Sequence, residues 1–82
     1  MNWFVYIVEC QDHSLYTGIT NNLEKRIEAH NNKKGARAVK GKLPVKLVYQ
    51  ERYNEKQVAL SRENEIKSLK REEKLKLIKK GP

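Results

Sequence analysis

The sequence predicts a small α/β domain of the α+β type, in which a three-stranded, mainly antiparallel sheet is flanked by helices in the order β-β-α-β-α-α. Two short segments rich in aromatic and β-branched residues, 3–10 and 14–20, are typical of strands. A helical pattern at 22–31 precedes an alternating segment at 45–53, and a second helical pattern covers 55–70. A chain of 82 residues fits one domain with a thin core.

The first two strands form a hairpin, and the length of its loop decides which side chains meet. A loop of three residues, Gln11-Asp12-His13, sets Tyr6 opposite Gly18 and Val8 opposite Tyr16. Side chains alternate along a strand, so this register places Tyr6 and Tyr16 on one face of the sheet. A two-residue loop would place them on opposite faces.

The first helix follows the hairpin, and either Thr20 or Asn21 is expected to cap it. Successive helical residues are about 100° apart. Arg26 and His30 therefore fall in the same arc as the apolar residues that dock onto the sheet. We expect both side chains to stand at the edge of the buried face, close to the sheet.

The second half of the chain contains a loop, a strand and two helices. We interpret Asn31–Pro44 as a long loop without a period, a kind of segment that is often functional. In the third strand, Val45, Leu47 and Tyr49 alternate and should share a face. Asn54 is expected to cap the next helix. A short last helix is indicated by three apolar residues, Leu75, Leu77 and Ile78.

The helix over 55–70 carries two charged residues close to its apolar stripe. The stripe consists of Val58, Ala59, Ile66 and Leu69. Glu63 lies beside it, and Arg62 stands within it, where Leu or Phe is expected. A carboxylate on such a margin is usually a paired surface charge.

The charge of the chain is strongly positive, with 18 Lys and Arg against 10 Asp and Glu and a net charge of +8. Such a surface attracts polyanions, and nucleic acid is the usual one. A basic cluster near the C-terminus is interpreted as a solvated helix surface. The basic residues of the central segment lie in a stretch without acidic neighbours, and we expect them to contact phosphates. These residues are Lys33, Lys34, Arg37, Lys40, Lys42 and Lys46.

Cysteine content and hydropathy limit the class of protein. The single cysteine, Cys10, suits a reducing cytoplasm, and Cys10, His13 and His30 lack the spacing of a zinc site. The apolar N-terminal stretch is interpreted as a strand, since it lacks the features of a signal peptide. No apolar run approaches the roughly 20 residues that span a bilayer.

Four polar positions fall on edges that the amphipathic patterns turn toward the sheet. They are occupied by Tyr6, by Tyr16, by the pair Arg26 and His30, and by Glu63. Taken singly, each is typical of ordinary packing or of a surface charge. Taken together, they provide a carboxylate for a divalent cation, hydroxyls to handle water, and a guanidinium for transition-state charge. This combination indicates a phosphodiesterase.

Five segments in this order carry a resemblance to a known family. They are Phe4-Val5-Tyr6-Ile7-Val8, Tyr16-Thr17-Gly18, the helix over 22–31 with Arg26 and His30, Leu43-Pro44-Val45-Lys46-Leu47-Val48-Tyr49, and Ala59-Leu60-Ser61-Arg62-Glu63. Together they resemble the GIY-YIG endonuclease domain, over the single domain 1–82. The resemblance is nearest to small single-domain bacterial members of uncharacterised role, which are similar to the Slx-type structure-specific nucleases. Thr17 departs from the family's usual isoleucine.

The resemblance implies a metal-dependent endonuclease that cuts DNA, with a branched or damaged duplex as a possible substrate in repair or recombination. It implies that Glu63 holds one weakly bound Mg²⁺ or Mn²⁺, that Tyr6 or Tyr16 activates water, and that Arg26 neutralises charge on phosphorus. His30 then either hydrogen-bonds a tyrosine or relays a proton. RNA as a substrate stays open, and we expect a monomer. The alternatives are a nucleic-acid-binding module without efficient cleavage, an adaptor for an acidic protein, and a domain that needs a protein partner for activity.

Overall fold

The fold is a three-stranded antiparallel sheet with helices on both faces, as the sequence predicts. The structure, a computed structural model, describes residues 2–81, and the strand order in the sheet is β2-β1-β3. The elements are β1 (Trp3–Glu9), β2 (Leu15–Thr20), α1 (Leu23–Asn31), a 3₁₀ helix (Arg37–Lys42), β3 (Lys46–Tyr53), α2 (Lys56–Lys67) and α3 (Arg71–Lys80). Within residues 2–81, no helix has the length and apolar content needed to cross a bilayer.

The hairpin has the register that a three-residue loop predicts. Tyr6 pairs with Gly18 and Val8 pairs with Tyr16. The turn is closed by hydrogen bonds at its base, and His13 adopts a positive φ of 68°. The side chains of Tyr6 and Tyr16 therefore lie on the same face of the sheet, and both belong to one apolar cluster.

The two faces of the sheet carry separate apolar clusters. On one face, Val5 and Ile7 of β1 pack with Ala59 and Ile66 of α2. On the other face, Tyr6 and Val8 pack with Val39 of the 3₁₀ helix and with partly buried residues of α1. Alternation along β1 thus assigns α2 and α3 to one side, and α1 with the 3₁₀ helix to the other.

A β-bulge in β3 overturns one sequence expectation. Ile7 pairs with Tyr49, whereas the next residue, Val8, pairs with Leu47, so that Val48 is the extra residue. The bulge reverses the alternation beyond this point. Leu47 packs on the face of α1, but Tyr49 packs on the face of α2. The expectation that Val45, Leu47 and Tyr49 share a face is therefore wrong.

Both predicted helix caps are also wrong. Asn22 caps α1, because its side chain accepts a hydrogen bond from the Lys25 amide at 3.1 Å. The Thr20 hydroxyl instead accepts from the Asn22 amide at 3.1 Å, which shapes the turn before the helix. α2 begins after Glu55, whose side chain makes no capping bond, and Asn54 lies one residue too early.

The segment between α1 and β3 is more ordered than a loop without a period. Its 3₁₀ helix buries Val39 to 1% exposure, which anchors the segment in the core. Asn31 at the end of α1 fixes the start of β3 through both of its amide groups. Its Nδ2 donates to the Val45 carbonyl at 3.2 Å, and its Oδ1 accepts from the Val45 amide at 2.7 Å. The fold thereby ties α1 to β3 at the base of the segment.

The last two helices bury only some of the apolar residues that the sequence predicts to face the core. Ala59 and Ile66 of α2 are fully buried, but Val58 is 46% exposed and does not belong to the stripe. In α3, Leu77 and Ile78 pack against the core, whereas Leu75 is largely exposed. Glu63, which lies beside Ala59 and Ile66, is also buried.

Candidate functional site

Tyr6, Arg26 and His30 form a hydrogen-bonded cluster on the α1 face of the sheet. Tyr6 projects from the middle of β1, and the helical spacing of four residues turns Arg26 and His30 toward it from α1. Tyr6 and His30 are both fully buried, and Arg26 is partly buried. The sequence expectation that these three side chains converge agrees with this geometry.

The phenolic oxygen of Tyr6 is the centre of this cluster. It lies 2.9 Å from Nε2 of His30, and Nε of Arg26 donates to it at 3.3 Å. Gly18 makes this position possible, because a Cβ on Gly18 would lie 2.5 Å from the Tyr6 oxygen. The glycine opposite Tyr6 in the hairpin is therefore required by close packing.

His30 is held by both ring nitrogens. Its Nδ1 accepts a hydrogen bond from the backbone amide of Ala36 at 3.2 Å. In a neutral imidazole one nitrogen accepts and the other donates, so Nε2 carries the proton and donates to Tyr6. Of the two roles that the resemblance implies for His30, this arrangement provides the hydrogen bond to a tyrosine.

Tyr16 stands next to the cluster and is more exposed than Tyr6. Its ring centroid lies 6.5 Å from that of Tyr6 and 5.7 Å from that of His30, the latter in an edge-on arrangement. The hydrogen bond with Tyr6 raises the pKa of Arg26, and Tyr16 adds a smaller effect in the same direction.

Burial and charge set the protonation states of the cluster. Burial raises the pKa of Tyr6, although the hydrogen bond and positive charge of Arg26 counteract part of this rise. Burial lowers the pKa of His30, and the charge of Arg26 lowers it further. At neutral pH, Tyr6 is therefore a phenol and His30 a neutral imidazole.

Glu63 does not join the cluster by direct contact. It lies on α2, which packs against the opposite face of the sheet from α1, and its Oε2 is 3.3 Å from Nζ of Lys67. Its negative charge still acts on Tyr6, as the weakest of the influences that raise the phenol's pKa. α2 also packs against β2, which is an edge strand. The structure thus places α2 with its carboxylate on the face of the sheet opposite the cluster of Tyr6, Arg26 and His30.

The described residues offer no ready-made cage for a metal ion. No group of three or more His, Cys, Asp or Glu within 2–81 is arranged to hold one. Glu63 could supply a single carboxylate, which Lys67 neutralises in the free protein. This fits only a hard divalent cation that takes its other ligands from water and phosphate.

The basic central segment divides into free and paired residues. Lys33, Lys34, Arg37 and Lys40 are exposed, and none forms an ion pair with another described residue. Two further residues have acidic partners contributed by the first hairpin. Nζ of Lys42 lies 3.7 Å from Asp12, and Nζ of Lys46 lies 3.4 Å from Glu9. The expectation of a segment without acidic partners is wrong for these two, because the hairpin folds back beside it.

A groove between α1 and β3 does not contain the cluster. It has a volume of about 420 Å³, and Leu23, Ile27 and Leu47 form its apolar floor. Glu24 and Glu28 also line it, which makes it unsuited to a phosphate.

A second polar network, which sequence reasoning missed, lies on the α2 face of the sheet. Nε and Nη2 of Arg62 donate to the two carboxylate oxygens of Glu51 at 2.8 and 3.0 Å, and the hydroxyls of Tyr49 and Tyr53 donate to the same carboxylate. Burial raises the pKa of Glu51, but hydrogen bonds from Arg62 and the two tyrosines outweigh this and lower it. Arg62 therefore stands in the apolar stripe because it clamps α2 to β3.

Comparison with known proteins identifies a family and a similar fold. A family model described as the GIY-YIG catalytic domain matches residues 2–76. A UPF0213 protein from Clostridium perfringens is 60% identical over 75 residues, covering 92% of this chain and 81% of that protein. One from Staphylococcus saprophyticus is 54% identical, covering 95% of each. The solution structure of a UPF0213 protein from Bacillus halodurans is similar, with 40% identity and a TM-score of 0.63 over 96% of this chain and 84% of that one.

Proposed function

Because this chain belongs to the GIY-YIG catalytic domain family, we propose that it is an endonuclease that hydrolyses phosphodiester bonds in DNA. The observation that supports this most is the Tyr6 oxygen, which receives hydrogen bonds from both Arg26 and His30. Hydrogen bonds to the phenolic oxygen stabilise its anion, so they oppose the rise in pKa that burial causes and support a role as proton acceptor once the phenol has lost its own proton. Branched or damaged duplexes in repair or recombination are the proposed substrates.

Substrate binding is assigned to the basic segment between α1 and β3. The four unpaired cations Lys33, Lys34, Arg37 and Lys40 extend from the turn after α1 into the 3₁₀ helix. Flexible ammonium groups and a guanidinium suit the sugar-phosphate backbone, which positions a duplex without reading its sequence. Binding by these groups fits recognition of a DNA structure more than recognition of a base sequence.

Hydrolysis requires a proton acceptor and a stabilising charge beside the phosphorus atom. Once the accepting tyrosine has given its own proton to solvent, the oxygen of a water molecule bonds to phosphorus as the ester P–O bond breaks, and the proton of that water passes to the phenolate. Tyr6 or Tyr16 is the proposed acceptor, and Arg26 donates a hydrogen bond to the Tyr6 oxygen. Arg26 also neutralises the charge that accumulates on the phosphoryl oxygens, to which its planar fork is suited. The leaving oxygen takes a proton from solvent.

Glu63 is the proposed protein ligand for a single Mg²⁺ or Mn²⁺. When bound, such an ion polarises the phosphoryl oxygen and stabilises the leaving oxygen. One carboxylate binds these ions weakly, and its pairing with Lys67 must be given up on binding. The phosphate of the substrate therefore completes the site, and metal affinity should rise when DNA is present.

The test is cleavage of nicked and branched duplexes in the presence of Mn²⁺ or Mg²⁺. We expect the wild-type protein to cut and Glu63→Gln to lose activity, whereas Glu65→Gln, exposed on the same helix, retains it. Tyr6→Phe and Tyr16→Phe identify the proton acceptor. Tyr53→Phe removes a hydroxyl from the network on the other face and serves as their control. Cleavage by Glu63→Gln at the wild-type rate would overturn the assignment of the metal ligand.

A nucleic-acid-binding module without efficient cleavage is the second candidate. Full burial of Tyr6 and the pairing of Glu63 with Lys67 favour it, because neither group is free in the unbound protein. Wild type and Glu63→Gln would then bind DNA equally and neither would cut. Absence of binding to DNA and RNA even at low salt would instead support an adaptor for an acidic protein.

A further inference from the structure

We propose that the backbone at Gly35 and Ala36 fixes the protonated nitrogen of His30 and thereby holds the Tyr6 oxygen as a hydrogen-bond acceptor. Gly35 and Ala36 are positioning residues in this account, since they act on Tyr6 through His30. The catalytic consequence depends on the proposed nuclease function. The arrangement of protons does not, and it can be measured in the free protein.

The chain of hydrogen bonds runs in one direction. The Ala36 amide can only donate, so Nδ1 of His30, 3.2 Å away, must accept. The proton of the neutral ring then lies on Nε2, which donates to Tyr6 at 2.9 Å. The Arg26 Nε–H is the second donor to the same oxygen, at 3.3 Å. Both lone pairs of the phenol are engaged, so its own hydrogen is the part of the group that is left to donate.

Glycine is required at position 35 by the closeness of His30. A Cβ on Gly35 would lie 2.8 Å from both Cα and Cγ of His30, and closer still to Nδ1. The chain turns sharply here, because Lys33 takes a positive φ of 64° and its amide bonds the His30 carbonyl at 3.1 Å. Any larger residue at position 35 must displace the ring, the following amide, or both.

The positioning contact also belongs to the basic segment. Ala36 directly precedes the 3₁₀ helix that carries Arg37 and Lys40. Val39 anchors this helix in the core, and the Lys42 carbonyl accepts from the Gln11 amide at 2.8 Å. The groups proposed to hold the DNA backbone and the group that orients Tyr6 are therefore adjacent in one fixed segment. A phosphodiester bound by this segment would therefore be held by the same stretch of chain that orients the phenol.

The proton arrangement is tested by NMR of the histidine ring nitrogens in ¹⁵N-labelled protein without DNA. We expect His30 at neutral pH to be a neutral ring with its proton on Nε2 and an unprotonated Nδ1. A proton on Nδ1, or an even mixture of the two tautomers, overturns the proposal. This result does not depend on whether the protein cuts DNA, so it separates the proposal from the nuclease function.

The role of Gly35 is tested by Gly35→Ala against a matched control, Gly41→Ala. A Cβ on Gly41 would meet nothing within 4 Å, so this variant changes the same segment without a clash. We expect Gly35→Ala to disturb the tautomer of His30 and to lower kcat on the order of 10- to 100-fold. Its KM and DNA Kd should stay within about twofold of wild type, because the cations remain in place.

Gly41→Ala should match wild type in every respect. A Gly35→Ala variant with the wild-type tautomer and the wild-type kcat overturns the role of Gly35. Loss of activity through a higher KM alone would also overturn it, since that would indicate damage to DNA binding. If Gly35→Ala does not fold, the tautomer measured in the wild-type protein decides the proposal.

Discussion

Removal of the Arg62 side chain is the most informative perturbation of the link between α2 and the sheet. Arg62 holds both oxygens of Glu51, whose side chain is only 12% exposed. In Arg62→Ala the carboxylate keeps the hydroxyls of Tyr49 and Tyr53 but loses its counter-charge. An unpaired charge in such surroundings destabilises the folded state, whereas an exposed ion pair contributes little.

The expected loss follows from the burial of the two partners. Removing one member of a fully buried pair costs about 3–5 kcal/mol. Arg62 is 29% exposed, and Glu51 retains two hydrogen-bond donors, so we expect about 2 kcal/mol. For a domain of this size, that corresponds to a fall in Tm of about 10 °C. Arg62→Lys keeps the positive charge but lacks the planar guanidinium that bonds both carboxylate oxygens. Its Tm should therefore lie between those of wild type and Arg62→Ala.

Thermal unfolding followed by circular dichroism provides the measurement. Arg52→Ala, at an exposed arginine of the same strand as Glu51, should change stability by less than about 0.5 kcal/mol. The folded pKa of Glu51 is lowered relative to the unfolded chain. The contribution of the pair is therefore complete above the unfolded pKa of about 4.3 and is lost as the pH falls through the folded pKa. The difference in Tm between wild type and Arg62→Ala should be largest near neutral pH and should become smaller in acid. A fall in Tm of less than about 4 °C at pH 7 would refute the claim that the Arg62–Glu51 pair stabilises the packing of α2 on β3.

Three further predictions concern single side chains. Thr17→Val should stabilise the fold by about 1 kcal/mol in urea unfolding, since the buried Thr17 hydroxyl has no hydrogen-bond partner among the described residues; a destabilised variant would indicate a missed partner. Asn31→Ala should destabilise it by about 2 kcal/mol, because Val45 loses hydrogen bonds at both its amide and its carbonyl; a loss under about 0.5 kcal/mol would contradict this. Lys33→Ala should reduce the slope of log K for DNA binding against log salt by about 0.9. Lys46→Ala, whose charge is paired with Glu9, should reduce the slope less, and equal reductions would argue against the division into free and paired cations.

The hairpin and the convergence of the candidate residues were predictable because they depend on local periodicity. Strand alternation and a three-residue loop suffice to place Tyr6 and Tyr16 on one face. Arg26 and His30 are four residues apart in a helix, so both side chains point toward these tyrosines. The same register sets Gly18 opposite Tyr6, so the need for a glycine there was also accessible from the sequence.

The features that the sequence did not predict depend on contacts between distant segments. The bulge at Val48 follows from the packing of β3 on β1 and leaves no mark in the alternation of apolar residues. The partners of Lys42 and Lys46 come from the first hairpin, more than 25 positions away along the chain. Arg62 was a visible anomaly in its stripe, but the carboxylate that explains it lies on another element.

The roles of the site residues remain predictions. The position of Glu63 provides the strictest test of them. Tyr6 projects from β1 onto the face of the sheet that α1 covers, whereas Glu63 lies on α2, which packs against the other face. A site that serves one phosphate requires both groups to act in the same step. That requirement can be measured directly in the rate of cleavage.

The decisive measurement is the single-turnover rate of nicked-duplex cleavage with Mn²⁺ for wild type, Tyr6→Phe, Glu63→Gln and the double variant. Groups that act on one reacting phosphate have strongly non-additive effects. We predict that each single change lowers the rate constant on the order of 100-fold or more, and that the double variant is about as slow as the slower single one. Two effects that multiply, or a Glu63→Gln protein that cuts as fast as wild type, would contradict a shared catalytic site.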